Sequence, residues 1–581
     1  MKTTKIVLTT LLVSMSSACY ANASSEFTTL LDEHWEWQLA ASPTMASQLG
    51  DRRYNDQWPD QNLQAIEQRH DDIREFLRRA YAIDRKDLSI DNQLNYELFR
   101  RQLEDTVDAY QFNNHLMPFS HRGGVQNLDN LTNSLRLTTV EDFEDWLARI
   151  SKIDDVIEQT IALAEKGRKS GYMAPKILMQ RIPNQLSLQV VEIATASPLF
   201  MAFENMPDSI SAADRERLRA DAMEIIEDKV LPAYRKLDRY FNKKYLPAAR
   251  ESVGLSALPN GTAAYEYLVR SFTTTRMTPD DIHRLGLEEV KRIRDEMAKV
   301  IEEVGFEGSF QDFLVFLRTD PQFYYDTPEA LYEAYLATSK RIDPELVNLF
   351  ATLPRMPYGV KPIPDSIAAD TTTAYYSRPA ADGSRAGIYW VNLYRPDVRP
   401  KYEIEVLSVH EAMPGHHLQI ALQQELGDVP DFRRFLGFTA FVEGWGLYSE
   451  RLGYELGLYK DPYSRFGQLT YDMWRAVRLV VDTGLHYKGW TRQQAIDFFK
   501  DNAAKTEHDI INEIDRYIGN PGQALAYKIG QLKMLTLRER AERRLGEKFD
   551  VRAFHDQLLG AGALPLDLLE QRMDEWLADQ P

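Results

Sequence analysis

The chain has 581 residues, of which 44% are hydrophobic and 27% charged, and this composition is typical of a folded globular protein rather than a disordered one. Its formal net charge of −18 at pH 7 disfavours nucleic-acid binding, because phosphate backbones would repel it. No long apolar run follows the N-terminal residues, so the sequence predicts no membrane span.

The N-terminus has the features of a secretory signal peptide over residues 1–23. Two lysines precede an apolar run, and the tripeptide Ala-Asn-Ala at 21–23 is a small-x-small cleavage site. The apolar run is too short for a stable membrane helix. We therefore expect a periplasmic or secreted protein that begins at Ser24. Lipid attachment at Cys19 ranks second, since Ser16 stands where lipoprotein signals usually carry leucine.

Cysteine usage narrows the chemistry further. Cys19 is the only cysteine in the sequence, so a chain cleaved after residue 23 has none. Such a protein cannot use disulfides or thiolate chemistry, which excludes cysteine catalysis and cysteine-ligated zinc together. Any metal ion must be held by His, Asp or Glu.

Helix signals dominate residues 24–581, and we predict a mainly α-helical protein. The segment "MTPDDIHRLGLEEVKRIRDEMAKVIEEVG" has Thr278 as its N-cap, Pro279 at the first helical position and Gly305 as its stop. The same Thr-Pro opening recurs in "DTPEALYEAYLATSKR", and a period of 3.6 residues runs through 141–166 and 212–240. We treat 24–581 as one helical domain, which can be divided into an N-terminal half (24–250) and a catalytic half (251–581).

One segment departs from the helical pattern. "TTTAYYSRPAADGSRAGIYWVNLYRP" (371–396) is rich in β-branched and aromatic residues, with a Pro/Asp/Gly turn between two candidate strands. It predicts a small β-hairpin. The hairpin either covers one end of the core or offers an exposed edge, with "GIYWVN" as the candidate, to an extended peptide. Its place just before a histidine cluster favours the second interpretation.

That cluster is "SVHEAMPGHHLQ" (408–419), which carries three histidines and a glutamate within eight residues. In the zinc-protease pattern HExxH, the second histidine follows the first by four residues, so that both imidazoles project from one helix face. Here that position is Pro414, which lacks an N–H and cannot continue a regular helix. Gly415 lets the backbone adopt a distorted conformation.

Two histidines compete for the role of second ligand beside His410. If Pro414 and Gly415 extrude about two extra residues from a helix over Arg399 to Met413, His416 takes the second ligand's place. Without such a bulge, His417 faces the same side as His410 but lies about 10.5 Å along the axis. That is too far for two bonds of about 2.1 Å to one ion. We favour His416 and keep His417 as the alternative.

A catalytic zinc site needs a third ligand. The segment "DFRRFLGFTAFVEGWGLYSERLGYE" predicts an amphipathic helix capped by Asp431, with Glu443 in its middle, followed by Gly444 and then by Gly446. Each glycine costs on the order of 1 kcal/mol inside a helix. That cost is reasonable where another helix must approach closely.

The sequence thus predicts a Zn²⁺ centre held by His410, His416 and Glu443. Glu411, beside the first ligand, is the predicted general base that takes a proton from water and passes it to a leaving amine. The alternatives are a buried ion pair for Glu443 and satisfied core or surface positions for the histidines.

The motifs "HEAMPGHHLQ", "FVEGWGLYSERLG", "VVDTGLHYKGW" and "RYIGNPGQALAYKIGQLK" resemble the bacterial family catalogued as domain of unknown function 885, over nearly the whole mature chain. That family in turn resembles the mostly helical gluzincin peptidases, including the thimet oligopeptidase and angiotensin-converting enzyme groups. Their core reads HEFGHALH, and Gly415-His416 matches its Gly-His after two inserted residues. The resemblance implies a large helical zincin-like fold with a channel between helical halves.

The sequence offers further candidates outside the zinc motif, and the resemblance implies one of them, a tyrosine. The relatives carry a late tyrosine that stabilises the oxyanion, and Tyr527 is the matching position, with Tyr517 in reserve. His486 is a further candidate catalytic residue. His486 and Arg478 are candidates to bind the substrate carbonyl or a terminal carboxylate, and helix packing is the alternative role for both.

Together these interpretations predict an exported zinc-dependent peptidase that cleaves short peptides with metal-activated water. One alternative is a metal-dependent hydrolase of a non-peptide amide or ester. Another is a catalytically inactive cell-envelope binding protein. Neither length nor charge indicates the oligomeric state.

Overall fold

The structure is a computed structural model that describes residues 4–368, 371–380, 383 and 385–580. The chain forms two compact units. Unit 1 comprises Met1–Ser252 and Leu258–Asn260, and unit 2 comprises Val253–Ala257 and Gly261–Pro581. The predicted halves 24–250 and 251–581 stay a prediction, as does the channel between them.

The first three residues of the predicted signal peptide lie outside the described residues, and the first helix begins at Thr4. Among the described residues, no helix has both the length and the apolar character needed to cross a bilayer.

Unit 1 is helical. In chain order its helices α1–α12 are Thr4–Ala41, Pro43–Leu49, Leu63–Ala82, Ile90–Tyr110, Val140–Ile150, Ile153–Ser170, Lys176–Met179, Ile182–Ser187, Met201–Glu204, Ala212–Ile225, Leu231–Tyr240 and Leu246–Ala248. The periodicity over 212–240 is interrupted by a π-helical turn, Ile226–Val230, just before Pro232. Pro232 has no N–H to bond to the preceding turn, and the wider turn accommodates this loss. The periodic segment 141–166 likewise falls in two helices, α5 and α6.

Unit 2 contains the predicted catalytic residues. Its helices α13–α27 are Gly261–Thr273, Pro279–Glu303, Phe310–Thr319, Pro328–Ile342, Asp365–Ala368, Ile404–Glu411, His416–Gln424, Asp431–Phe435, Thr439–Leu452, Pro462–His486, Arg492–Asn502, Glu507–Gly519, Ala526–Leu545, Val551–Leu559 and Leu566–Asp579. Helix α14 begins as predicted, with Thr278 and Asp281 forming a capping box and Pro279 in the first turn.

Two close helix pairs form the core of unit 2. Helix α22 is buried from Phe466 to His486 except at the half-buried Trp474. It packs against α14 at Gly286, where a Cβ would lie 2.7 Å from the Cβ of Leu479. Helices α21 and α25 meet at Gly444 and Gly530, and a Cβ at Gly530 would lie 1.8 Å from the carbonyl oxygen of Ala440. Both contacts bring two backbones together, and the contact between α21 and α25 is the close helix approach that Gly444 predicts.

The minority β element is a three-stranded sheet. Its strands are Tyr358–Pro362 (β1), Ala374–Ser377 (β2) and Gly387–Val391 (β3), in the order β1-β3-β2. The predicted hairpin is the antiparallel β2–β3 pair, and β1 adds a parallel partner to β3. The predicted exposed edge "GIYWVN" is therefore wrong, because β3 is the central strand and has a partner on each side.

The sheet lies beside the histidine helix, as predicted. The hydroxyl of Tyr376 on β2 is 2.9 Å from Nδ1 of His417 on α19. Gly387 on β3 is close to the same ring, since a Cβ there would lie 2.7 Å from that nitrogen. The mainly α fold with a small adjoining sheet is thus confirmed.

The helix predicted from Asp431 across Glu443 is two helices, α20 and α21. The side-chain amide of Gln423 donates to the carbonyl oxygens of Arg433 at 2.9 Å and Leu436 at 2.7 Å. These bonds satisfy carbonyls at the point where the chain leaves helical geometry. Asp431 lies inside the first turn, and Pro430 is the N-cap.

We expect Gly530→Ala to lower the free energy of unfolding by about 1–3 kcal/mol, because the added methyl collides with the α21 backbone. Urea unfolding followed by circular dichroism measures the change. Gly437→Ala is the matched control, since a Cβ there meets nothing within 4 Å. Equal effects of the two substitutions would contradict the close helix contact.

Candidate metal centre

The histidine motif is built on a break between two helices. Helix α18 ends at Glu411 and α19 begins at His416, with four non-helical residues between them. The N–H of His417 donates to the carbonyl oxygen of Ala412 at 3.1 Å, across five residues. The predicted helix over Arg399 to Met413 is shorter than expected, and the predicted two-residue bulge is a full interruption, because Pro414 cannot extend α18.

Gly415 makes this interruption compact. A Cβ at Gly415 would lie 1.9 Å from the carbonyl oxygen of His410 and 2.3 Å from that of Val409, so another side chain would force the segments apart. The rings of His410 and His416 are consequently neighbours, with centroids 4.7 Å apart and planes at 85°.

The indole of Trp445 fixes the turn. Its Nε1–H donates to the carbonyl oxygens of Pro414 at 2.8 Å and Gly415 at 3.2 Å. Trp445 is fully buried and lies two residues after Glu443 on α21. The helix that carries the predicted third ligand therefore also holds the segment that carries the second.

The three predicted ligands come together. One ligand atom from each of His410, His416 and Glu443 lies within 4.8 Å of the others. Oε2 of Glu443 is 3.8 Å from Nε2 of His410 and 3.5 Å from Nε2 of His416. Ligands of a tetrahedral zinc ion with bonds of about 2.1 Å stand about 3.4 Å apart, so small side-chain adjustments bring this donor set into range.

The orientation of His410 is fixed from behind. Its Nδ1 is 2.8 Å from Oε1 of Glu450, which is fully buried, and this leaves Nε2 directed toward Glu443. Arg475 lies 3.5 Å from the same Glu450 oxygen. The ring also packs against Gly446, where a Cβ would lie 2.7 Å from its Cε1. A carboxylate behind a histidine ligand is the usual second layer of a zinc site.

Sequence reasoning missed Glu450 and Arg475. Glu450 stands seven residues after Glu443, two helical turns along the same helix face. That spacing is a signal, but a glutamate at helical spacing is common. Arg475 lies on another helix and has no local signal.

The charges around His410 favour a cation between the three ligands. Burial by itself lowers the pKa of His410, but the carboxylates of Glu443 and Glu450 outweigh it and raise that pKa to about 9. Burial alone would raise the pKa of Glu443, yet the two imidazoles hold it well below its usual range. Glu443 therefore stays ionised, and the raised pKa of His410 shows that this position favours positive charge.

His417 has a different environment. Its Nδ1 is bound by the hydroxyl of Tyr376, and its Nε2 lies 3.0 Å from the carbonyl oxygen of Met356. Burial lowers its pKa to about 4, so it is neutral at pH 7. Both ring nitrogens are occupied, which separates His417 from the group formed by His410, His416 and Glu443.

Glu411 is the last residue of α18 and is only partly buried. Among the described residues we find no hydrogen bond to its carboxylate. This partly exposed carboxylate follows the first histidine directly in the sequence, and its general-base role stays a prediction.

Tyr527 lies near the same three-residue group. It stands one turn before Gly530 on α25, so it shares the helix face that contacts α21. The amide of Gln523 donates weakly to its hydroxyl, at 3.4 Å. Burial raises the pKa of Tyr527, and the charge of Glu443 raises it further, so the phenol keeps its proton.

The surroundings of His486 favour the helix-packing alternative over the predicted catalytic role. Its Nδ1 accepts from the N–H of Leu255 at 3.0 Å, and its Nε2 donates to the carbonyl oxygen of Tyr517 at 3.0 Å. The ring is fully buried with both nitrogens engaged by backbone, so it packs helices. The reserve residue Tyr517 is also fully buried, and its hydroxyl is bound by Arg478, Trp474 and Glu513.

We expect His416→Ala to lose most bound zinc, because two protein ligands rarely hold the ion well. His417→Ala should keep zinc but unfold at a lower temperature, since it removes a buried ring with two hydrogen bonds. Metal analysis after dialysis, with a thermal unfolding curve for each variant, measures both. If the His417 variant lost zinc and the His416 variant kept it, His417 rather than His416 would be the second ligand.

Comparisons with known proteins place the chain in a family. A family profile described as "Bacterial protein of unknown function (DUF885)" matches residues 43–573. A structure from Colwellia psychrerythraea described as a "putative lipoprotein" is 28% identical, with a TM-score of 0.87, over 97% of this chain and 99% of that chain. A "putative lipoprotein of unknown function" from Shewanella oneidensis is 18% identical, with a TM-score of 0.74, over 95% and 99%.

A structure from Bacillus anthracis str. Ames, described as a "putative oligoendopeptidase F", is 12% identical with a TM-score of 0.26, over 88% of this chain and 96% of that chain. No curated protein matches the chain significantly. The profile spans most of the chain, and the chain belongs to the bacterial family of unknown function DUF885.

Proposed function

We propose that the protein is an exported zinc-dependent peptidase in which His410, His416 and Glu443 hold the ion. The observation that carries this proposal is the convergence of these three donors around one point, with the far nitrogen of His410 bound by a buried carboxylate. Two imidazoles and one carboxylate are the ligand set of many zinc hydrolases.

When bound, a zinc ion would supply the Lewis acidity that activates water and polarises the scissile carbonyl. The Glu411 carboxylate accepts the proton of the attacking water and returns it to the nitrogen of the leaving amine. The Tyr527 hydroxyl donates a hydrogen bond to the substrate oxygen as that oxygen gains negative charge. Glu450 keeps the His410 ring in the orientation that leaves Nε2 free.

The direct test is the activity of the purified protein on a library of short peptides, before and after chelation and after zinc is restored. The proposal predicts about one zinc per chain and peptide cleavage that follows the metal. A matched set of esters separates peptide hydrolysis from general hydrolysis. A protein that binds zinc but cleaves esters only would support the non-peptide hydrolase instead.

We expect Glu411→Gln to retain zinc and lower turnover by about 10²-fold or more, because the amide cannot accept the proton of water. Glu425→Gln serves as the control, since that carboxylate binds the backbone N–H groups of Arg355 and Met356 rather than the candidate site. Full activity in the Glu411 variant would contradict the proposed mechanism.

Tyr527→Phe should lower kcat by about 10²-fold while zinc content and KM change little, because the hydroxyl acts on charge that develops during the reaction. The control is Tyr454→Phe, a tyrosine whose hydroxyl bonds Gln468 at 3.3 Å outside the proposed machinery. Unchanged turnover in Tyr527→Phe would remove this residue from the mechanism.

Export makes a separate prediction. We expect the mature chain to begin at Ser24 and to appear in the periplasmic or extracellular fraction, because the Ala-Asn-Ala site precedes that residue. Mass spectrometry of the protein expressed in its native compartment measures the N-terminus. A mature chain that begins at Cys19 and carries a lipid would contradict this expectation and would indicate membrane anchoring.

A further inference from the structure

A pair of arginines lies beside Tyr527. The guanidinium carbon of Arg478, on α22, is 4.4 Å from the centroid of the Tyr527 ring. Arg516, on α24, donates to the Gln523 side-chain carbonyl at 2.7 Å, and Gln523 in turn contacts the Tyr527 hydroxyl. Both arginines are thus connected to Tyr527, the tyrosine whose pKa the charge of Glu443 raises.

The pair shares a single carboxylate. Glu513 Oε2 is 3.3 Å from Nη2 of Arg478 and 2.9 Å from Nη2 of Arg516. The hydroxyl of Tyr517 accepts from Nε of Arg478 at 2.9 Å and donates to Glu513 at 2.7 Å. Among the described residues, no other acidic group lies within 4.0 Å of either guanidinium. Two cations therefore face one anion.

Neighbouring charged groups do not remove this excess. Lys528 and Arg292 are balanced by Asp472 and Glu289, with Lys528 2.6 Å from Asp472 and Arg292 2.7 Å from Glu289. Beside the candidate ligands, Arg475 is engaged with Glu450. Each of these cations has its own carboxylate.

Asp482 is the next acidic group. Its carboxylate accepts from the hydroxyl of Tyr265 at 2.6 Å and from the N–H of Gly522 at 3.0 Å. Burial raises the pKa of Asp482 to about 7, so it is only partly ionised near neutrality. It is therefore an incomplete counter-charge for Arg516.

An uncompensated positive charge out of water is costly, and it requires a reason. The Arg478 side chain is 6% exposed and that of Arg516 13%, and Nη1 of Arg478 is buried with no hydrogen-bond partner among the described residues. A guanidinium with an unused donor is the group that proteins use most often to bind a planar carboxylate.

We infer that Arg478 and Arg516 form a subsite for a substrate carboxylate, so that the substrates are short peptides cut close to a free C-terminus. This inference rests on the proposed peptidase function and names its substrate class. The carboxylate supplies the missing negative charge, and its position beside Tyr527 brings the neighbouring peptide bond toward Glu443 and Glu411.

The test compares one randomised tetrapeptide library in two forms, with free C-terminal acids and with C-terminal amides. We expect the zinc-loaded protein to consume the acids about 10²-fold faster in kcat/KM, because the amide cannot accept the charge-assisted bonds. Mass spectrometry should show single residues or dipeptides released from the C-terminus. Equal consumption of acids and amides would overturn the inference while leaving the peptidase proposal intact.

Variants locate the subsite. Arg478→Gln and Arg516→Gln should each reduce the preference for acids to less than about 10-fold, mainly by raising KM for the acids, with zinc content unchanged. Arg538→Gln is the matched control, an arginine on α25 with an 18% exposed side chain that pairs with Glu455 and Glu542. If Arg478→Gln does not fold, Arg516→Gln still decides. Preference retained in the folded variants would overturn the assignment.

A binding experiment covers the case in which no peptide is cleaved. Zinc-loaded Glu411→Gln is mixed with both libraries, and the retained peptides are identified after ultrafiltration. The subsite would be supported, even if the peptidase proposal failed, by enrichment of acids over amides that is lost when Arg516→Gln is added to Glu411→Gln. Equal retention of both libraries would contradict the subsite independently of catalysis.

Discussion

The candidate site depends on the contact between the Trp445 indole and the carbonyls of Pro414 and Gly415. Pro414 forces α18 to end, and an unsupported connection after it would leave His416 without a defined position. The indole N–H satisfies the carbonyls that the interruption exposes, while Gly415 brings the new helix directly against the old one. Because Trp445 and Glu443 share α21, one helix fixes the spacing of all three donors.

Successive layers then hold this arrangement in place. Glu450 and Gly446 orient His410 from behind, and Gly444 lets α25 approach so that Tyr527 lies on the shared face. His417 lies on α19 next to His416, and its contact with Tyr376 ties α19 to the sheet. In this structure Gly444, Gly446 and His417 position the site, whereas His410, His416 and Glu443 provide its donors.

The sequence predicts those parts of the site that local rules control. Pro414 and Gly415 interrupt a helix through their own geometry, and the resemblance to HExxH peptidases independently pointed to His416. The cost of Gly444 inside a helix predicted a close neighbour. Glu450 and Arg475 escaped prediction because they act through contacts between helices, and nothing in their sequence neighbourhood distinguishes them from other helical charges.

Two further departures from the sequence analysis have the same origin. His486 is bound by backbone groups of Leu255 and Tyr517, 231 and 31 residues away, which no local pattern reveals. The sequence predicts an edge position for "GIYWVN" because no nearby segment signals a second partner. That partner, β1, lies 25 or more residues earlier and pairs with it only in the folded chain. Long-range pairing decided both outcomes.

The central claim is that His410, His416 and Glu443 together hold a zinc ion. Anomalous diffraction at the zinc edge from crystals of the zinc-loaded protein tests it most directly. The account predicts one strong peak about 2.0–2.2 Å from Nε2 of both histidines and from a carboxylate oxygen of Glu443. A peak elsewhere, or none at this position in crystals with stoichiometric zinc, would contradict it.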